Sequence, residues 1–239
     1  MGQIALSFVI PAYNEEASIV SALCTLDDFG RGEKRGYEIV LVNDGSIDKT
    51  LSRALKYANS NHHVKVVTYG SNIGKGHAVK AGFLKTTGDI VIFADSDMDV
   101  DLTQISRYVE ALEHGDIVIA SKWHPASTVD IPLNRRILSH SFNVLVRLLT
   151  GAQFKDTQVG LKAMRKSAFL NIFPKLSVKR YAFDVELLAV ANLYKLRVVE
   201  MPTNIKISSS FRLVDVWRMF IDLLGIAYRL RVLHWYTRD

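Results

Sequence analysis

Asp95, Asp97 and Asp99 alternate directly after the apolar run Ile90–Ala94, and Asp101 follows. Carboxylates this close repel one another unless a cation screens them. Hard divalent ions take oxygen ligands, and Mg2+ commonly uses one or two carboxylates together with substrate phosphates. The alternation therefore suits a metal site facing a phosphorylated ligand. It also suits a solvated turn or a helix N-cap, where aspartate is favoured, and the triplet alone does not choose. An EF-hand is a poor fit, because the sixth position counted from Asp95 is Val100, where that loop requires glycine.

A second candidate is Gly70-Ser71-Asn72-Ile73-Gly74-Lys75-Gly76-His77. A Walker A loop needs four residues between its glycines and Ser or Thr after the lysine. Here three intervene and Gly76 follows, so the segment is not one. A helix start carrying Lys75 still attracts anions, although flexible glycines opening a helix explain the segment equally well. A third candidate lies in Leu133–Leu149, where Arg135, Arg136 and Arg147 punctuate an otherwise apolar helix. Arg135 and Ser139 stand four residues apart, so they share one face and can both donate to one phosphate.

Such groups need a scaffold that brings them together. Leu6–Ile10, Glu38–Val42, Val64–Thr68, Ile90–Ala94 and Ile117–Ala120 read as strands. Helical patterns intervene from about Glu15 to Leu26, Thr50 to Ser60 and Lys75 to Lys85. Strands alternating with helices predict βαβ units and a mostly parallel sheet. The strands end in Pro11-Ala12-Tyr13-Asn14-Glu15, Asn43-Asp44-Gly45-Ser46, Asp95-Ser96-Asp97 and Ser121-Lys122. Ligands of open parallel sheets bind beyond the carboxyl ends of the strands, so these polar groups converge where a nucleotide would sit.

Composition narrows the class. The 239 residues are 49% hydrophobic and 23% charged, enough for one packed α/β domain. The net charge of +6 favours anionic partners without choosing among them. Nucleic-acid binding would rest on that charge alone and is not expected. Cys24 is the only cysteine, which excludes a disulfide framework and a cysteine zinc site. No run reaches the ~18 apolar residues of a membrane span. The first residues read as a strand rather than a signal peptide. The stretch Gly30–Gly36 reads as a surface loop. No Gly-x-Gly-x-x-Gly follows the first strand, which disfavours a dinucleotide oxidoreductase.

Six short motifs, in order, carry a resemblance. Val9-Ile10-Pro11-Ala12-Tyr13-Asn14-Glu15-Glu16, Val42-Asn43-Asp44-Gly45-Ser46, Asn72-Ile73-Gly74-Lys75-Gly76 and Asp95-Ser96-Asp97 resemble the family 2 glycosyltransferases. Asp156-Thr157-Gln158-Val159-Gly160-Leu161-Lys162 and Phe183-Asp184-Val185-Glu186-Leu187-Leu188 are similar to its dolichyl-phosphate glucosyltransferase and mannose synthase branch, the glucosyl type more closely. The resemblance implies a GT-A fold: a Rossmann-like, mostly parallel sheet flanked by helices. It implies that Pro11, Ala12, Tyr13, Glu15, Val42 and Asp44 hold the base and ribose. Asp95, Ser96 and Asp97 would meet the ribose and diphosphate, with Lys75 the anion-attracting candidate beside them, and Asp97 with Asp99 would ligate Mg2+ or Mn2+. Aspartate at 99 departs from the glutamine often found in mannose synthases.

The same resemblance implies that Lys122, Arg135, Ser139 and Arg212 position an acceptor phosphate. Lys122 replaces the family's usual arginine, keeping the charge and losing the bidentate fork. The expected reaction is inverting transfer of glucose from UDP-glucose to dolichyl or another polyprenyl phosphate, with GDP-mannose the second donor. A phosphate monoester has a second pKa of about 6, so it needs no strong base. Asp156 is the base candidate if the acceptor is instead a glycan or glycolipid hydroxyl, the rival enzymatic reading. A non-catalytic membrane-binding module is the other rival, and would have no need of the acidic triplet.

Residues 1–210 are expected to form the catalytic domain and 211–239 an amphipathic arm. In Val214–Tyr236, Asp215, Arg218, Asp222, Gly225 and Arg229 form a narrow polar stripe among apolar residues. A helix packed on the sheet with that stripe exposed fits the pattern. So does an interfacial helix with Trp217, Trp235, Tyr236 and the arginines at lipid headgroups. The enzyme is expected at the cytoplasmic face of a membrane, peripheral or held by an anchoring subunit.

Overall fold

Apolar, largely β-branched runs form strands where the alternation predicted them. The computed structural model describes residues 4–33, 35–96, 104–206 and 213–238. The first half alternates β1 (Ile4–Ala12), α1 (Ile19–Gly32), β2 (Gly36–Asn43), α2 (Thr50–Asn59), β3 (Val64–Thr68), α3 (Lys75–Phe83) and β4 (Ile90–Phe93). There follow α4 (Ile105–Ala111), β5 (Ile117–Ala120), β6 (Thr128–Asp130) and α5 (Leu133–Thr150). The rest comprises β7 (Lys162–Arg165), α6 (Lys166–Phe169), α7 (Phe183–Leu193), β8 (Val198–Met201), β9 (Asn204–Lys206) and α8 (Leu213–Arg231).

One seven-stranded sheet has the order β3-β2-β1-β4-β7-β5-β8. Only β7 runs antiparallel to its neighbours β4 and β5. β6 and β9 pair separately, in parallel. The side-chain period of two divides β1 between two cores. Phe8 and Ile10 pack with Ile19 and Leu23 on α1, whereas Val9 packs with Val79 and Phe83 on α3. Each fully buried side chain of this size stabilises the fold by roughly 1.5–3 kcal/mol.

Two boundaries differ from the sequence expectation. α1 begins at Ile19 rather than Glu15, because Asn14 turns the chain with a positive φ of 56°. Asparagine tolerates that left-handed conformation better than most residues. The presumed loop at Gly30–Gly36 is partly helix, since α1 continues to Gly32 and Gly30 lies against the Tyr37 ring.

The C-terminal segment is part of the same core. Met219, Leu223 and Ile226 of α8, and Tyr236 beyond it, join the cluster around α7 and β4. The helix packs against the core, but its polar stripe is not its outward face. Asp215, Arg218 and Asp222 point into a cleft, and Arg229 pairs with buried Glu186 at 3.6 Å. The outward face is the apolar one: Val214, Trp217, Ile221, Leu224 and Tyr228 are exposed at spacings of three and four. Tyr236, expected at headgroups, is fully buried.

Candidate active site

The carboxyl ends of β1 and β2 are sewn together by their own turns. Asn14 donates its N–H to Ser46 Oγ at 3.0 Å and accepts from the Ile47 N–H at 3.0 Å. The Glu15 N–H donates to Thr50 Oγ1 at 2.7 Å. The Asp44 carboxylate accepts from the Ile73 and Gly74 N–H groups and from Asn72 Nδ2, each at 2.9 Å. It thereby pins the turn that opens α3. Gly74 adopts φ +123°, and a Cβ there would collide with the Lys179 carbonyl, so glycine is required.

Lys75 heads α3 and reaches Asp95 Oδ1 at 2.7 Å and Asp184 Oδ2 at 3.6 Å. Asp184 Oδ1 in turn meets Lys162 Nζ at 2.8 Å. The result is a row of alternating charge: Asp95, Lys75, Asp184, Lys162. Lys162 is almost wholly buried and also donates to the Val159 carbonyl at 2.6 Å. Burial pushes the Asp184 carboxyl up, but Lys162 and Lys75 outweigh it and hold the group below the usual range. Gly160 leaves the room Asp95 occupies, since a Cβ there would strike its carboxylate.

A second cationic end faces this one. Lys122 Nζ lies 3.2 Å from Asp156 Oδ2, and the Lys122 and Gln158 N–H groups donate to the same carboxylate at 2.9 and 3.1 Å. Asp156 is fully buried behind Lys122. Its carboxylate is thus engaged by Lys122 and by the Gln158 N–H. Arg135 and Ser139 stand on one face of α5 as their spacing predicted, and both line the cleft. Ser139 is buried, and among the described residues its Oγ has no hydrogen-bond partner. Such a hydroxyl costs about 1–3 kcal/mol unless a ligand takes it.

These ends enclose one cleft of about 640 Å³. Pro11, Ala12, Tyr13, Glu15, Asp44, Lys75, Asp95, Ser96, Lys122, Arg135 and Ser139 all line it, as the sequence reading required. Val42 does not: its side chain is buried against Ala78 of α3, because it points to that face of the sheet. Asp97, Asp99 and Arg212 lie outside the described residues. Sequence reasoning missed Arg180, Tyr181 and the α8 wall of Asp215, Arg218 and Asp222. The period of α8 was visible, but not which face the domain would cover. Gln158 and Asp184 stood in quoted motifs without a role.

The lining offers carboxylate, hydroxyl and amide oxygens, with neither imidazole nor thiol among the described residues. That donor set suits Mg2+ or Mn2+. No three metal-ligating side chains cluster among the described residues, and both expected ligands fall in 97–103.

The Glycosyl transferase family 2 profile matches residues 7–173. The dolichyl-phosphate beta-glucosyltransferase of Drosophila melanogaster is 34% identical, over 97% of this chain and 77% of its own. Its namesake from Saccharomyces cerevisiae is 32% identical, over 96% and 77%. Glucosyl-3-phosphoglycerate synthase of Mycobacterium tuberculosis, crystallised with Mn2+, UDP-glucose and phosphoglyceric acid, superposes with a TM-score of 0.68 at 19% identity, covering 94% of this chain and 79% of that one.

Proposed function

Because the chain belongs to glycosyl transferase family 2, with the GT-A fold, we propose that it transfers glucose from UDP-glucose to dolichyl or a related polyprenyl phosphate, with inversion at the anomeric carbon. The carrying observation is the cleft's two-ended chemistry. One end gathers the strand-end turns, Asp95 and Lys75; the other presents Lys122, Arg135 and the unpartnered Ser139 hydroxyl. The names of the fly and yeast relatives support the sugar and the lipid, and the Mycobacterium complex supports a UDP-glucose donor with a divalent ion.

In this reading the strand-end turns hold the nucleotide. Lys122, Arg135 and Ser139 draw the acceptor phosphate to the anomeric carbon, on the face opposite the leaving diphosphate. Its oxygen attacks, the glycosidic bond breaks, and UDP departs. The acceptor oxygen is already anionic, so no side chain removes a proton. Asp156 keeps Lys122 aimed at that phosphate. Asp97 and Asp99 would hold a divalent ion, which would offset charge on the leaving diphosphate. Lys75 and Arg180 add positive charge at the donor end.

The test is a panel of radiolabelled nucleotide sugars with polyprenyl phosphate and Mg2+ or Mn2+. Glucose from UDP-glucose is expected on the lipid, with EDTA abolishing transfer and either metal restoring it. Label following GDP-mannose, or reaching only hydroxyl acceptors, would refute the assignment.

A membrane surface completes the reading, at its cytoplasmic face. Beside the outward apolar stripe of α8 lies α5, packed against it, with Leu133, Ile137 and Leu148 exposed. Two adjoining helices thus turn apolar side chains outward while their other faces line the cleft. No helix among the described residues is long and apolar enough to cross a membrane.

A further inference from the structure

Glu186 is fully buried on α7, yet it lines no part of the cleft. A lone buried carboxylate is costly, so its partners identify its purpose. Its Oε2 accepts from the Ser177 and Val178 N–H groups at 2.9 and 2.8 Å. Its Oε1 accepts from Ser177 Oγ at 2.9 Å and from the Tyr236 hydroxyl at 2.6 Å. Arg229 Nε donates to that same hydroxyl at 3.1 Å. One carboxylate therefore joins three distant segments: the loop before α7, the end of α8 and the C-terminal turn.

The loop leads to the cleft. The Lys179 carbonyl accepts the His77 N–H at 3.1 Å, at the first turn of α3. Gly76 lies so close that a Cβ would stand 2.6 Å from the Val178 carbonyl. The loop thus seats the helix start that carries Lys75, and its next residues, Arg180 and Tyr181, line the cleft. At its other end the C-terminal turn is fastened independently. Tyr194 donates its hydroxyl to the Tyr236 carbonyl at 2.7 Å, and Trp235 Nε1 donates to the Lys175 carbonyl at 3.2 Å. Burial and then the Glu186 carboxylate push the Tyr236 phenol up, so it stays a donor at neutral pH.

We propose that Tyr236 and Glu186 form a latch through which the C-terminal turn positions the loop 177–181, and with it Lys75 and Arg180, for binding the nucleotide diphosphate. Both are positioning residues; neither touches substrate. The latch rests on the donor reading given above. It predicts that the chain's last turn matters to the donor, although its helix walls the acceptor side as well. A purely structural carboxylate would instead lower stability and leave ligand affinities in their wild-type ratio.

Tyr236→Phe removes one hydroxyl and keeps the ring in its pocket, and Ser177→Ala removes one bond from the loop side. Glu38→Gln serves as the control for stability alone. Glu38 is a similarly buried carboxylate, held by Ser7, Thr87 and Lys65, none of which belongs to this loop. Calorimetric UDP affinity should fall about tenfold in Tyr236→Phe and Ser177→Ala, a coupling typical of residues without ligand contact. KM for polyprenyl phosphate should hold, and amide exchange at Ser177 and Val178 should quicken. Glu38→Gln should melt earlier with UDP affinity unchanged. Wild-type UDP affinity in both latch variants, or an equal loss in Glu38→Gln, would overturn the latch alone. Absence of UDP binding by the wild-type chain would overturn the donor reading and the latch with it.

Discussion

Lys122 shows how a substitution at one position is accommodated. Lysine lacks the fork that would hold an arginine in one geometry, and Asp156 restores direction with two contacts from the same residue. Asp156→Asn should therefore lower kcat for the lipid acceptor about tenfold while UDP affinity holds. A base role predicts something different, a lost acid limb in the pH–rate profile. Rates measured from pH 5 to 8 with both forms discriminate: persistence of the wild-type profile shape supports positioning. Asp222 gives a second prediction, on stability. Burial pushes its carboxyl up, Glu186 adds to the push, and Arg180 and Arg229 only partly offset it. The folded state therefore binds its proton more readily than the unfolded chain. Its contribution to stability is full below the unfolded pKa and is lost as pH rises through the raised folded value. Asp222→Asn should then raise the melting temperature at pH 7, by about a degree or two, and change little at pH 3.

At the level of elements, what the sequence showed and what it hid have physical causes. β1 to β4 were legible because their apolar runs end in turn residues at a common edge, and a parallel sheet buries both faces. β7 was not, because it is only four residues long and Lys162 and Arg165 form its ends. Lys162 is buried only because Asp184, more than twenty residues on, neutralises it. No local pattern reveals such a pair. The site was legible to the same extent: residues at strand ends and on one face of α5 converge as their spacing required, whereas Arg180 and Asp222 depend on contacts between distant segments. α8 illustrates the limit most directly. Its periodicity fixed the stripe but not which side the domain would cover, and the polar side turned inward because the cleft lies there. Leu223 is fully buried in the cluster with α7. Leu223→Ala should accordingly cost about 2–5 kcal/mol, read as a lower urea midpoint with the slope unchanged. A separate arm predicts no change in that midpoint.

The whole molecule poses a problem of two phases. On the proposed function the nucleotide sugar is water-soluble and the long polyprenyl chain is not, so the cleft would open beside a bilayer without entering it. α5 and α8 suit that reading: Arg135, Ser139, Asp215 and Asp222 line the cleft, while Leu133, Ile137, Trp217 and Ile221 are exposed. Trp217 is 64% exposed and Ile221 49%, an arrangement that water disfavours and a headgroup layer accepts. Arg136, Arg147 and Arg231 are exposed on the same two helices. Near an anionic surface each basic residue adds about 1 kcal/mol, screened by salt. Burying a large apolar side chain adds roughly 1.5–3 kcal/mol. Replacing Trp217 and Ile221 by serine should therefore weaken partitioning to anionic vesicles about a hundredfold or more. Both side chains point away from the core, so the fold should persist. Turnover of a long-chain acceptor in vesicles should drop with the partitioning, while a short, soluble isoprenyl phosphate should be glucosylated at the wild-type rate. Co-sedimentation at low and high salt separates the contributions: salt should remove the arginine share, and the double substitution the rest. If the wild-type chain ignores vesicles at low salt, or if the variant loses the soluble acceptor equally, these helices do not face the bilayer, and the lipid must reach Arg135 and Ser139 by another route.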